Sequence, residues 1–237
     1  MSSRSANGSP GWASGELALR HPVMTDLVAR FGPCRLGTKP AASQRFETLA
    51  KAIVSQQLAG AAASTIWGRL RSAVGPVFSP EAVSRTSPEL MRAAGMSAAK
   101  TASVLDLAQR VEAGTLDLVG LGRLSDAAVT EALTQVRGIG PWTADMFLII
   151  ALRRLDVWPT GDLGVRVGFG RAFSLLETPT AQQLAPLGDP FRPYRSVLAW
   201  YCWRVVDVRP IANIPAPPGA ALAQANGRKI AKTPSSR

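Results

Sequence analysis

The sequence predicts an all-α fold, and three observations carry that expectation. Apolar residues recur at three- and four-residue steps through most of the chain, serine–proline pairs read as helix starts, and no stretch alternates apolar and polar residues between hairpin turns. The chain has 237 residues, 46% of them apolar, enough to bury a sizeable core. That length allows one large domain or two smaller ones.

Taken in order, residues 1–15 are rich in Ser, Gly and Ala without periodicity and are expected to form a disordered lead. Phe46, Leu49, Ala50, Ile53, Val54, Gln57 and Leu58 form an amphipathic stripe that Gly60 breaks or bends. Ala63, Ile66, Trp67 and Leu70 begin a second stripe, ended by Gly75-Pro76. Ser79-Pro80-Glu81 and Ser87-Pro88-Glu89 each supply an N-cap, a proline at the first helical position and an acid against the helix dipole. Ser97 caps a helix through Val104, Leu107, Ala108 and Val111, with Gly114 past its end. Ser125 opens another through Val129, Leu133 and Val136. At the far end, residues 214–237 run through Pro215, Pro217, Pro218 and Gly219 into a tail with Arg228, Lys229, Lys232 and Arg237 and no acid. Such a tail cannot bury a core; it serves either solubility or a weak attraction to phosphate.

Composition excludes several functions. The longest strongly apolar run, Met146 to Leu152, is far short of the about 20 residues that cross a bilayer, and no signal core opens the chain. A soluble, cytoplasmic protein without membrane contact is expected, nucleoid-associated if bacterial. Cys34 and Cys202 are too few for a disulfide framework, a four-cysteine zinc site or an iron–sulfur cluster. His21 alone argues against a Ser-His-Asp triad or a multi-histidine metal centre. With 27 basic and 16 acidic side chains the net charge is +11, which points to nucleic acid or, more blandly, to the composition of a GC-rich genome.

The informative stretch is Leu133-Thr-Gln-Val-Arg-Gly138-Ile139-Gly140-Pro141-Trp142-Thr143-Ala144. One helix ends, two glycines free to take φ > 0 bracket an isoleucine expected to pack between helices, and a proline starts the next helix. The free N–H groups and dipole of that helix would face the hairpin mouth, a ready anion site. An ordinary tight helix connection explains the same residues. Asp162 follows Trp142 by twenty positions, after a turn shaped by Pro159 and Gly161 and before renewed apolar periodicity at Val165, Val167 and Phe169. It therefore stands at a helix N-terminus, where an aspartate commonly serves as an N-cap.

Together these segments resemble the helix-hairpin-helix DNA glycosylase superfamily, most closely its 3-methyladenine DNA glycosylase II branch. The residues that carry the resemblance are Gly138-Ile139-Gly140-Pro141-Trp142-Thr143-Ala144, Pro159-Thr160-Gly161-Asp162, Ala52-Ile53-Val54-Ser55-Gln56-Gln57-Leu58 and Phe191-Arg192-Pro193-Tyr194-Arg195-Ser196. It covers about residues 17–210. It implies a two-domain all-α fold with the DNA cleft between domains and no iron–sulfur cluster. The expected division is 16–45 plus 155–213 for one domain and 46–154, with the hairpin at 134–144, for the other.

The resemblance also assigns roles. Asp162 would be the catalytic carboxylate, Trp142, Tyr194 and Met146 the base pocket, and Gln57 or Leu58 the wedge that fills the gap left by a flipped base. Gly138, Ile139, Gly140, Trp142 and Thr143 would hold a DNA phosphate. Backbone carbonyls of Thr134, Val136 and Ile139 would hold a monovalent cation, Na+ or K+; no cofactor is otherwise expected. Bifunctional relatives carry a lysine nucleophile where this chain has Trp142, and Lys39, Lys51 and Lys100 have no comparable placement in the sequence. The expectation is a monomeric, monofunctional glycosylase that removes alkylated, cationic purines from damaged duplex DNA in base excision repair. The alternative is a non-catalytic helix-hairpin-helix DNA-binding module, which leaves Asp162 and the aromatics without a task. Asp145 is read either as a support or as an exposed helix acid, and Trp67, Trp158, Trp200 and Trp203 as core.

Overall fold

Ser9 starts the first helix, because its side chain accepts the Trp12 N–H and Pro10 follows it at the first helical position. The computed structural model describes residues 8–58 and 60–207. Helix α1 (Pro10–Arg20) buries Ala13, Ser14 and Leu17, so residues 10–15 of the expected disordered lead are helical. The Ser-Pro cap there overrides the Ser/Gly-rich composition. The tail expected from residue 214 lies outside the described residues.

His21, the lone histidine, caps α2 (Pro22–Phe31) by accepting the Val23 N–H on Nδ1. A short 3-10 turn leads into α3 (Arg45–Ser55), and α4 (Gly60–Val74) begins at the glycine expected to break the stripe. The serine caps at Ser79, Ser87, Ser97 and Ser125 open α5 (Pro80–Arg85), α6 (Pro88–Ala93), α7 (Ala98–Glu112) and α8 (Asp126–Thr134). Helices α9 (Pro141–Ile150), α10 (Leu163–Ala172), α11 (Ala181–Leu187) and α12 (Arg195–Asp207) complete the fold. The described residues contain no strand. None of their helices is long and apolar enough to cross a membrane.

Two apolar cores form. One gathers buried residues between Phe46 and Val157, from α3 through α9. The other joins α1 and α2, through Ala13, Leu17, Met24 and Leu27, to Val165, Phe169 and the buried face of α12. Trp203 packs against both cores. Cys34 and Cys202 are buried and unbridged in the second core, where burial pushes both thiols up, Cys34 to about 12, so neither is a ready nucleophile.

Arg195 and Ser196 fasten the start of α12 to the segment that leads to the Asp162 turn. Arg195 grips Asp156 through Nε at 2.8 Å and Nη2 at 3.0 Å. Ser196 Oγ donates to the Arg154 carbonyl and accepts the Val157 N–H.

Candidate active site

Asp162 sits where the turn after Trp158 becomes α10. The Asp162 N–H donates to the Pro159 carbonyl, closing the turn, and Oδ1 accepts the Val165 N–H at 2.8 Å as an N-cap. A cap requires one oxygen only. Here the carboxylate is 8% exposed, and two indoles converge on it. Trp142 Nε1 donates to Oδ2 at 2.6 Å and Trp203 Nε1 to Oδ1 at 3.0 Å. Of the roughly four acceptor positions on a carboxylate, three are filled and one on Oδ2 remains.

Trp142 nevertheless stays 42% exposed. It lines a cavity of about 380 Å³ between α3 and α9, with Thr48, Lys51, Ala52, Ser55 and Met146 among the other walls. It also borders a shallower hollow with Gln56, Gln57 and Gly161. Met146 therefore joins Trp142 as the sequence suggested. Tyr194 does not: it meets Trp12 edge-on at 5.8 Å and lies under the Arg20 guanidinium at 5.4 Å, against the second core. No ring contact joins it to Trp142 among the described residues. Lys51, which the sequence left unplaced, lies on the cavity wall.

The hairpin between α8 and α9 forms as expected, with two corrections. Gly138 has φ +75, and a Cβ there would collide with the Ser103 hydroxyl. Gly140 is extended at φ −100 as the N-cap of α9, and a Cβ there meets nothing within 4 Å. Only Gly138 needs glycine's freedom. Ile139 is buried in the first core and its N–H donates to the Val136 carbonyl, so that amide is already used and drops out of the phosphate set. The Arg137 N–H is taken by Asp106 at 2.8 Å. Among the described residues, the amides of Gly138, Gly140, Trp142 and Thr143 have no protein acceptor. They form the anion-ready end of α9.

The loop after α3 is tied to this hairpin. Gln56 Nε2 donates to the Gly138 carbonyl at 3.0 Å and to Thr143 Oγ1 at 3.1 Å. Lys100 Nζ donates to the carbonyls of Val54 and Gln56, both at 2.7 Å, capping the C-terminal end of α3. Burial holds the Lys100 ammonium below its usual pKa. Gln57 follows, exposed and in the left-handed region at φ 57, while Leu58 is half-buried. Sequence reasoning missed Gln56, Lys100 and Trp203; the doubled glutamine was the one signal available for the first. Asp145 is no exposed helix acid. It is half-buried, and desolvation, aided by the charge of Asp126, pushes it up to about 6.

Among the described residues no group of three His, Cys, Asp or Glu side chains could hold a metal ion.

Residues 50–192 match the family model described as HhH-GPD superfamily base excision DNA repair protein. The DNA-3-methyladenine glycosylase 1 of Schizosaccharomyces pombe is 35% identical over 184 residues, which span 76% of this chain and 79% of that protein. A structure of the 3-methyladenine DNA glycosylase from the same yeast, in complex with abasic DNA, superposes with a TM-score of 0.70 at 32% identity and covers 83% of this chain and 97% of that one. The DNA-3-methyladenine glycosidase of Bacillus halodurans gives 0.71 at 34% identity, covering 83% of this chain and 88% of that one.

Proposed function

This chain belongs to the HhH-GPD superfamily of base excision DNA repair proteins, and from that premise we propose that it is a monofunctional glycosylase releasing alkylated purines from duplex DNA. The observation that carries the reading is the buried Asp162, with both oxygens aimed by indole N–H groups and one acceptor position left on Oδ2. A module that only binds DNA has no use for such an arrangement.

Breaking an N-glycosidic bond builds positive charge on the deoxyribose, and a fixed carboxylate lowers the barrier to that charge. A purine methylated at N3 or N7 is already cationic. It takes the electron pair of the breaking bond and leaves neutral, so it needs no acid. Water adds its oxygen to the anomeric carbon on the face that Oδ2 supports, and its proton passes through Oδ2 to solvent. The target must first leave the stack, at a cost of a few kcal/mol for a damaged base. Gln57 at the loop tip fills the gap in this reading, with Leu58 behind it. Trp142 and Met146 receive the base, and stacking on the indole supplies about 1–3 kcal/mol with a further cation–π gain.

Phosphate is gripped at the free amides of Gly138, Gly140, Trp142 and Thr143. The Thr134 and Ile139 carbonyls accept no hydrogen bond among the described residues and Val136 keeps a second lone pair, so these oxygens suit a Na+ or K+ that would neutralise the same phosphate. With indole rather than amine at position 142, no Schiff base forms at that position. The test is release of free base from methylated duplex, compared with Asp162→Asn; the variant is expected to bind DNA but release nothing.

A further inference from the structure

Trp203 was expected in the core, yet its indole N–H reaches Asp162 Oδ1 at 3.0 Å. The approach depends on two glycines four residues apart on α10. A Cβ on Gly168 would collide with the Cys202 backbone, and one on Gly164 would stand 3.1 Å from both Trp203 Cδ1 and Asp162 Oδ1. The bare face of α10 thus lets the backbone of α12 come close, and the next residue, Trp203, lays its indole across Gly164 onto the carboxylate.

We propose that Trp203 is a positioning residue for base release. This rests on Asp162 being the catalytic carboxylate. With the Val165 N–H, the Trp203 N–H fills Oδ1 and commits that oxygen to the protein. Carboxylate torsions are broad, and a single N-cap bond does not fix the plane. The second donor does, and it leaves Oδ2 as the oxygen turned to sugar and water. Trp142 cannot do this alone, because the same indole is half-exposed and faces the base.

The experiment is single-turnover base release from methylated duplex beside affinity for an abasic-analogue duplex. Trp203→Phe keeps an aromatic ring and deletes the donor. Its release rate is expected to fall about tenfold or more, with affinity within about twofold of the parent. Gly164→Ala crowds the indole and Asp162 Oδ1 together and should show the same split, while the Trp203 indole N–H signal, read in the parent and in Asp162→Ala, carries the test if Trp203→Phe does not fold. In an amide spectrum the indole N–H signal absent from Trp203→Phe should move upfield in Asp162→Ala, a change that core packing alone would not produce. Trp203→Phe and Gly164→Ala at the parental rate, with Asp162→Asn inactive, would overturn the positioning role alone. So would rate and affinity falling together, or an indole signal indifferent to Asp162. An active Asp162→Asn protein would instead remove the reading beneath it.

Discussion

Two acids on adjacent elements differ in their hydrogen bonding. Asp162 is buried and hydrogen-bonded on both oxygens, whereas Asp145 is half-buried with no hydrogen-bond partner among the described residues. The fold therefore disfavours the Asp145 charge. Pushed up to about 6 in the fold, its pKa lies above the ordinary aspartate value, so its penalty is absent below about pH 4 and complete above about pH 6. Asp145→Asn should accordingly melt about 2–4 °C above the parent at pH 8, taking about 1 kcal/mol to survive solvent screening, and the gap should close towards pH 4. Thermal melts at the two pH values check it. Trp142 gives a second residue-scale expectation. Lacking an amine there, the enzyme should leave an intact abasic strand and give no covalent adduct on borohydride treatment. Lys51, on the cavity wall, is the residue to identify if an adduct does form.

At the scale of elements, the start of α9 allows fold and grip to be separated. Gly140 is extended and open, so Gly140→Asp introduces no strain; an aspartate at an N-cap satisfies the helix amides and stabilises. The same carboxylate fills the anion site. Gly140→Asp should melt at or above the parent yet bind every duplex more weakly, with the salt slope reduced by about one. Preference for damaged over undamaged DNA should change much less than total affinity, because phosphate contacts do not read bases. Titration of both duplexes at two salt concentrations is the check. Gly138→Ala should do the reverse, losing about 1–3 kcal/mol in denaturant melts, partly restored by Ser103→Ala, which removes the colliding hydroxyl. The loop after α3 follows the same logic. Lys100→Met removes both carbonyl contacts that hold its backbone before Gln57. Base release should slow while binding of undamaged duplex, which uses the hairpin, stays near the parent.

For the whole molecule, the helices and their starts were legible in sequence because caps are local chemistry. Ser79, Ser87, Ser97, Ser125 and Asp162 all cap as their neighbours imply. Ser9-Pro10 carried the same signal but lacked an acid and sat in Ser/Gly-rich sequence, so α1 was missed over residues 10–15. What failed was long-range. Reading Trp203 as core says that it turns inward, but not that its N–H meets a carboxylate 41 residues away. Likewise the motif ending in Arg195-Ser196 places α12, while Tyr194 within it packs on Trp12 rather than Trp142. Glycine spacing on α10 held the missing information, since only the absence of Cβ atoms lets α12 come near enough. The outcome is a carboxylate assembled from α9, α10 and α12, between two cores.

The proposed function stands or falls on this carboxylate supporting cleavage of the glycosidic bond. The direct measurement is single-turnover release of free methylated purine from duplex DNA by the parent and by Asp162→Asn, with abasic-duplex affinity measured on the same preparations. Release by the parent, none above background by the variant, and affinity retained by both is the predicted result. Near-parental release by Asp162→Asn would leave Asp162 as an N-cap and nothing more.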